Sequence, residues 1–280
     1  ALTSITIKHE GKNTALSSLR VAGGSTTQLT ATGWYYGNKV YSADTSFTWS
    51  VSDALGTIDE DGTFTAVQTG RDVTGTLTVT YGETSCTLPV TVGSSQPFDD
   101  TKGHWAESYI TELYYAGTLQ GSEKNGKLYY RPDASMTRQE FIVAMMRYLG
   151  TDLSAYASVQ LPFDDSGSIA SWAKSAMQAA YQLGYLTGSK TNGKLLAKPG
   201  STISRQEAMT ILSRTKDFAD ADLNVLSAFS DSGKIADWAR TALAQMTQQK
   251  IISGSKGKLN PTGKVTRAEV AKMLYMLSET

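Results

Sequence analysis

One cysteine in 280 residues excludes a disulfide framework and a cysteine-based metal site, since either needs more than one thiol. That residue, Cys86, has no histidine or basic neighbour to activate it and reads as part of a core. Histidine is almost as scarce. His9 and His104 lie in different parts of the chain and form no nucleophile–base arrangement. Neither a phosphate-cradling glycine loop nor a metal-ligand cluster is present. No catalytic residue, metal or cofactor is therefore expected. No apolar run approaches the ~18 residues that a membrane span needs, so no membrane insertion is expected. The strand-like pattern starts directly at Ala1 without a secretory leader, so the chain is expected to be a piece of something longer. Excess charge is missing too. With 26 basic and 26 acidic residues the net charge is zero, which gives no support for nucleic acid or an anionic membrane as the main partner. Low cysteine suits exported proteins of a Gram-positive-type cell and cytosolic proteins equally.

What is present falls into two materials. Residues 1–95 are rich in Thr, Ser, Val and Gly, with alternating segments separated by turn signals. Ile5 and Ile7 alternate with Thr6, Leu29 and Ala31 with Thr30, and Phe47, Trp49 and Val51 with Thr48 and Ser50. About seven short strands in such a length predict a β-sandwich with Trp49 and Cys86 in its core. Residues 5 basic and 8 acidic before Pro97 make this part mildly negative. Gly93-Ser94-Ser95-Gln96 reads as a linker.

From residue 96 to 280 the chain is helical and repeats, with copies at about 97–150, 162–215 and 228–280. Met136-Thr137-Arg138-Gln139-Glu140 returns as Ile203-Ser204-Arg205-Gln206-Glu207 and as Val265-Thr266-Arg267-Ala268-Glu269. Ser or Thr with Glu three residues on, ahead of an apolar run, is a capping box that opens a helix. The Arg between them is not needed for capping. It stands where exposed backbone N–H groups and the helix dipole are expected to favour an anion. Each copy opens on Phe98-Asp99-Asp100, Phe163-Asp164-Asp165 or Phe229-Ser230-Asp231, then reaches Trp105, Trp172 or Trp238. A Gly-Ser pair follows at fixed spacing: Gly121-Ser122, Gly188-Ser189 and Gly254-Ser255. Only the segment from that pair to the next Pro varies, which predicts two packed helices joined by a surface loop. Ala106, Ile110 and Leu113 make one apolar stripe, with Phe141, Ala144 and Met145 as the second. A two-helix unit cannot bury both stripes alone. The three units are expected to close into an all-α pseudo-threefold bundle.

Trp49-Ser50, Asp61-Gly62-Thr63-Phe64-Thr65-Ala66 and Leu88-Pro89-Val90-Thr91-Val92 resemble bacterial immunoglobulin-like repeats. The Phe-x-Asp, Trp-Ala, Gly-Ser and Thr/Ser-Arg-x-Glu elements, recurring three times over residues 98–277, resemble surface-layer homology repeats. That resemblance implies a non-catalytic module of an exported protein in the bacterial cell wall or surface layer. The implied partner is a secondary cell-wall polysaccharide whose terminal N-acetylmannosamine carries a pyruvate ketal, or a peptidoglycan-linked glycan. It carries Arg138, Arg205 and Arg267 over as ligand residues in grooves between repeats. Asp100, Asp165, Asp231, the three Trp and the Gly-Ser pairs become groove or framework positions. Gln139, Gln206, Ser204, Ser230 and Lys250 depart from the pattern, and the third loop is shorter. The third groove is therefore the least like the others.

Other readings remain open. Each Arg can instead pair with Asp100, Asp165 or Asp231 to pin the repeats together. Lys190 and Lys256 are candidates to supplement an anion site, with a solvated surface role favoured. The tryptophans can stack on sugars, but each begins an apolar stripe, which favours core packing. The Asp99-Asp100 and Asp164-Asp165 pairs invite a glycosidase reading. Adjacent side chains point apart and the third copy has one Asp, so a turn role is preferred. A structural surface-layer subunit acting through self-assembly, and the terminal anchor of a secreted enzyme, are the functional alternatives.

Overall fold

The computed structural model describes residues 2–12, 14–39 and 46–278; Ala1 and Thr280, at the two ends of the expected ranges, lie outside them. The chain divides into two compact units, Ala1–Lys102 and Gly103–Thr280. Among the described residues, no helix is long and apolar enough to cross a membrane.

The first unit contains β1 (Ser4–His9), β2 (Leu19–Ala22), β3 (Thr26–Tyr35), β4 (Asn38–Lys39), β5 (Thr48–Val51), β6 (Gly56–Ile58), β7 (Thr63–Ala66), β8 (Val73–Tyr81) and β9 (Thr84–Gly93). One sheet runs β1-β3-β7-β6, with β4 beside β3, and the other runs β2-β9-β8-β5. Among the described residues, only β2 and β9 pair in parallel. The alternation read from sequence puts Ile5, Ile7, Leu29 and Phe64 from the first sheet into one core with Leu77, Val79, Leu88 and Val90 from the second. Trp49 and Cys86 belong to the margin of that core, packed against it and half-buried rather than inside it. Burial pushes the Cys86 thiol up, away from thiolate chemistry.

The second unit is not all-α, which corrects the helical expectation. Its helices are α1 (Glu107–Tyr115), α2 (Arg138–Tyr148), α3 (Lys174–Gln182), α4 (Arg205–Leu212), α5 (Asp237–Gln248) and α6 (Arg267–Ser278). Between α1 and α2 the supposed loop is a hairpin, β10 (Ser122–Lys124) with β11 (Lys127–Tyr129). Between α3 and α4 it is β12 (Ser189–Thr191) with β13 (Lys194–Leu196). The cause is local: Asn125-Gly126 and Asn192-Gly193 all sit at positive φ, the two-residue turn whose twist matches paired strands. In the third copy Lys256-Gly257 takes the same conformation, but pairing shrinks to a single Ser255–Lys258 bridge.

Both expected stripes are buried: Ala106 at the N-cap of α1 with Ile110 and Leu113 on it, and Phe141, Ala144 and Met145 on α2, with their counterparts. The second helix of each copy packs on the first helix of the next, α2 on α3 and α4 on α5, and α6 returns to α1. At the points where the capping helices begin, three backbone bonds close on themselves. Met136 N–H donates to the Val265 carbonyl at 3.0 Å, Val265 N–H to Ile203 at 3.1 Å, and Ile203 N–H to Met136 at 3.0 Å.

The first helix of each copy ends on a residue in the left-handed region: Gly117 at φ 78°, Gly184 at 79° and Lys250 at 58°. The next amide then reaches back to the last turn, Thr118 to Leu113, Tyr185 to Ala180 and Ile251 to Met246. Glycine adopts this conformation without penalty, whereas a Cβ is crowded there. Lys250→Gly is expected to raise stability by about 1 kcal/mol, read as a higher denaturation midpoint with an unchanged slope.

Candidate functional site: the corners between copies

Each corner begins with a capping box. Thr137 N–H and Oγ1 donate to Glu140 Oε2 at 2.8 and 2.7 Å, while Thr137 Oγ1 accepts from the Glu140 amide at 3.3 Å. Ser204 with Glu207 and Thr266 with Glu269 repeat the arrangement. The capping carboxylate uses one oxygen on its own helix. Its second oxygen faces the Arg of the preceding copy around the ring. Arg138 Nη1 meets Glu207 Oε1 at 3.0 Å, Arg205 Nη1 meets Glu269 Oε1 at 2.6 Å, and Arg267 Nη1 lies 3.8 Å from Glu140 Oε1.

The Arg stems are anchored further. Arg138 Nε donates to the Ala197 carbonyl at 2.9 Å. Arg267 Nε donates to Tyr130 O at 2.7 Å and its Nη2 to Gln120 O at 2.8 Å, with the guanidinium 4.5 Å from the Tyr130 ring centre. Arg205 differs: its Nε is buried with no hydrogen-bond partner among the described residues. Burial lowers the Arg138 pKa, opposed by the Glu207 charge. Burial tends to raise Glu207, yet the Ser204 bonds and Arg138 hold it below the ordinary glutamate value.

Two expectations about these corners are corrected. The helix-start amides are not open to an anion, because the neighbouring copy's backbone takes them. Arg138 N–H donates to Ser201 O, Arg205 N–H to Gly263 O and Arg267 N–H to Ala134 O. The direct ion-pair partner of each Arg is the next copy's capping Glu, with the Asp165 charge also favouring the charged form of Arg138. Asp165 instead accepts from the Ala197 and Lys198 amides at 2.8 Å each, and Asp231 from Leu259 and Asn260 at 2.9 and 2.8 Å. They fix the turn ahead of each Pro. Asp100 is half-buried.

Two glycines of the Gly-Ser pairs, Gly188 and Gly254, have a packing reason. A Cβ on Gly188 would stand 2.6 Å from the Phe163 ring, and one on Gly254 would stand 2.8 Å from the Phe229 ring. Ser122 and Ser189 open the hairpin strands and are exposed, as is Ser255. Trp105, Trp172 and Trp238 are 55%, 57% and 57% exposed, against the expected core packing. The buried stripe starts one residue later, at Ala106, Ala173 and Ala239.

A groove of about 260 Å³ brings several of these residues together. Gly121 and Glu140 come from the first copy, Trp172 from the second and Arg267 from the third, with Arg131 and Arg147 completing three guanidinium groups against one carboxylate. An indole face beside excess positive charge can take a sugar ring bearing an acid. Arg147 was missed by motif reading. Its signal was a further regularity, because Arg214 stands equally far beyond Glu207 as Arg147 beyond Glu140. Gln139 and Gln206, departures from the repeat pattern, have a structural task. Their Oε1 atoms accept from the Ala170 and Ala236 amides at 3.0 Å, just ahead of Trp172 and Trp238.

The model of the S-layer homology domain matches residues 97–142, 162–209 and 228–271. The chain is 28% identical over 207 residues to an amylopullulanase of Thermoanaerobacterium thermosulfurigenes, covering 72% of this chain and 10% of that protein. It is 28% identical over 242 residues to the exoglucanase XynX of Acetivibrio thermocellus, covering 83% and 21%. It is 32% identical over 192 residues to a surface-layer 125 kDa protein of Lysinibacillus sphaericus, covering 65% and 15%. The chain thus spans only a small part of each relative's length.

The corner chemistry sets an acid response. Glu207 has a depressed folded pKa, so its stabilisation is complete above its unfolded value of about 4.5 and is lost as pH falls through the folded one. Glu207→Gln is expected to lower the melting temperature at pH 7 and to flatten its fall below about pH 4.5, measured by thermal unfolding across pH 2–7. Arg138→Ala leaves the Ala197 carbonyl and Glu207 unmatched and is expected to cost about 1–3 kcal/mol. An Arg138/Glu207 double-mutant cycle checks that the two losses overlap.

Proposed function

Since the chain belongs to the S-layer homology family through residues 97–142, 162–209 and 228–271, we propose that it is a non-catalytic module that anchors a surface protein to the bacterial cell wall. Its ligand is an anionic secondary cell-wall polysaccharide bearing a pyruvate ketal on N-acetylmannosamine, held in grooves between the copies. The observation that carries this reading is the groove where the exposed Trp172 ring meets Arg267, Arg131 and Arg147. The indole offers an apolar face to the sugar ring, and the guanidinium groups offer planar, bidentate donors for a carboxylate. Three chain segments of separate copies build one wall each, which suits a site that exists only when the module is folded.

The relatives support an anchoring role carried apart from catalysis. The matched region is a tenth of the amylopullulanase and about a fifth of the exoglucanase, while a surface-layer protein carries it as well. The β unit then serves as a spacer between the wall and whatever the full protein displays.

The test uses isolated cell walls before and after chemical removal of the secondary polymer. Retention on native walls and loss on stripped walls is expected; equal retention on both rejects the reading. Trp172→Ala is expected to lose most retention while stability changes by less than about 0.5 kcal/mol, because the ring is largely in solvent. Concentration-dependent lattice formation by the chain alone, with no wall dependence, would favour the self-assembly alternative instead.

A further inference from the structure

We propose that the three corners are unequal: those around Arg267 and Arg138 each take a sugar carboxylate between two guanidinium groups, the second being Arg147 or Arg214, and the corner around Arg205 does not. This inference rests on the acidic-glycan reading above and narrows it to two sites per chain.

The first corner shows the pairing directly, with Arg147 and Arg267 lining one groove. In the second, Arg214 Nη1 donates to the Tyr185 carbonyl at 2.8 Å and reaches Thr187 Oγ1 at 3.4 Å. Those residues stand in register with Thr118 and Gln120, which line the first groove. Arg214 also lies near enough to Arg138 for the two charges to oppose each other: its pKa is lowered by burial first and by Arg138 second. Glu207 answers Arg138 through one oxygen. A carboxylate arriving between the two guanidinium groups is attracted by both and relieves their repulsion.

The third corner lacks that second fork. Met276 occupies the position of Arg147 and Arg214, and Asn260 that of Arg131 and Lys198. Lys272, in register with Val143 and Thr210, supplies an ammonium one turn earlier, a point charge without planar geometry. The buried Arg205 Nε without a partner marks this corner as packed differently.

The experiment is calorimetric titration of the full chain with a methyl glycoside of N-acetylmannosamine carrying the pyruvate ketal, beside the same sugar without it. Two ketal-dependent sites per chain are expected. Arg147→Met is expected to leave one and to weaken the other by about tenfold or more. Arg147→Met with Arg214→Met is expected to weaken both, and both side chains are exposed, so unchanged melting confirms that folding is intact. Three equivalent sites, or two sites untouched by the double variant, overturn this inference alone. No binding of the ketal sugar by the unmodified chain overturns the anchoring reading and this inference with it.

Discussion

Three backbone hydrogen bonds hold the second unit in register. Met136, Val265 and Ile203 donate to one another in a closed cycle, and each immediately precedes a capping residue. The cycle involves no side chain, so it adds a backbone constraint to the helix starts that the capping boxes set. From there each helix start feeds its first amides to the neighbouring copy, as Gln139 does to Pro199 O and Ala268 to Pro132 O. Groups that normally seek a ligand or water are consumed by assembly. The positive end of each helix is thereby closed off. Side chains are left to supply the charge at the grooves.

The capping Glu then carries two duties with two oxygens. One oxygen satisfies its own helix start and the other faces an Arg from elsewhere in the ring. A partly buried ion pair of this kind contributes modestly to net stability, because removing both charges from water offsets much of their attraction. Its stronger effect is to fix register: an unmatched guanidinium or carboxylate in a misaligned corner is costly. The Arg267–Glu140 contact is the widest of the three, and that corner holds the open groove.

Local chemistry made much of this legible in the sequence. Capping boxes and apolar stripes obey short-range rules, and Thr137–Glu140 or Ala106–Ile110–Leu113 are visible without a fold. The hairpins were also written locally, in Asn125-Gly126 and Asn192-Gly193, but a strong helical period around them drew attention away. The tryptophans were misplaced by a single position, which on a helix turns a side chain by about 100° and moves it from core to solvent. The Arg–Glu pairing was beyond reach for a different reason. Arg138 and Glu207 are 69 residues apart, and no periodicity names a partner across a closure. The β unit was readable in its alternation, while Trp49 and Cys86 were drawn too deep because residue type says little about position along a strand.

The groove at the first corner draws Glu140 from one copy, Arg267 from a second and Trp172 from a third. Sites built this way cannot be added or subtracted singly. A chain shortened by one copy would not keep two thirds of its grooves, since each would lose a wall. A fourth copy would find no seat in the cycle of three. Within such a fixed ring the copies differ in their side chains, as Met276 does where the other two carry Arg147 and Arg214.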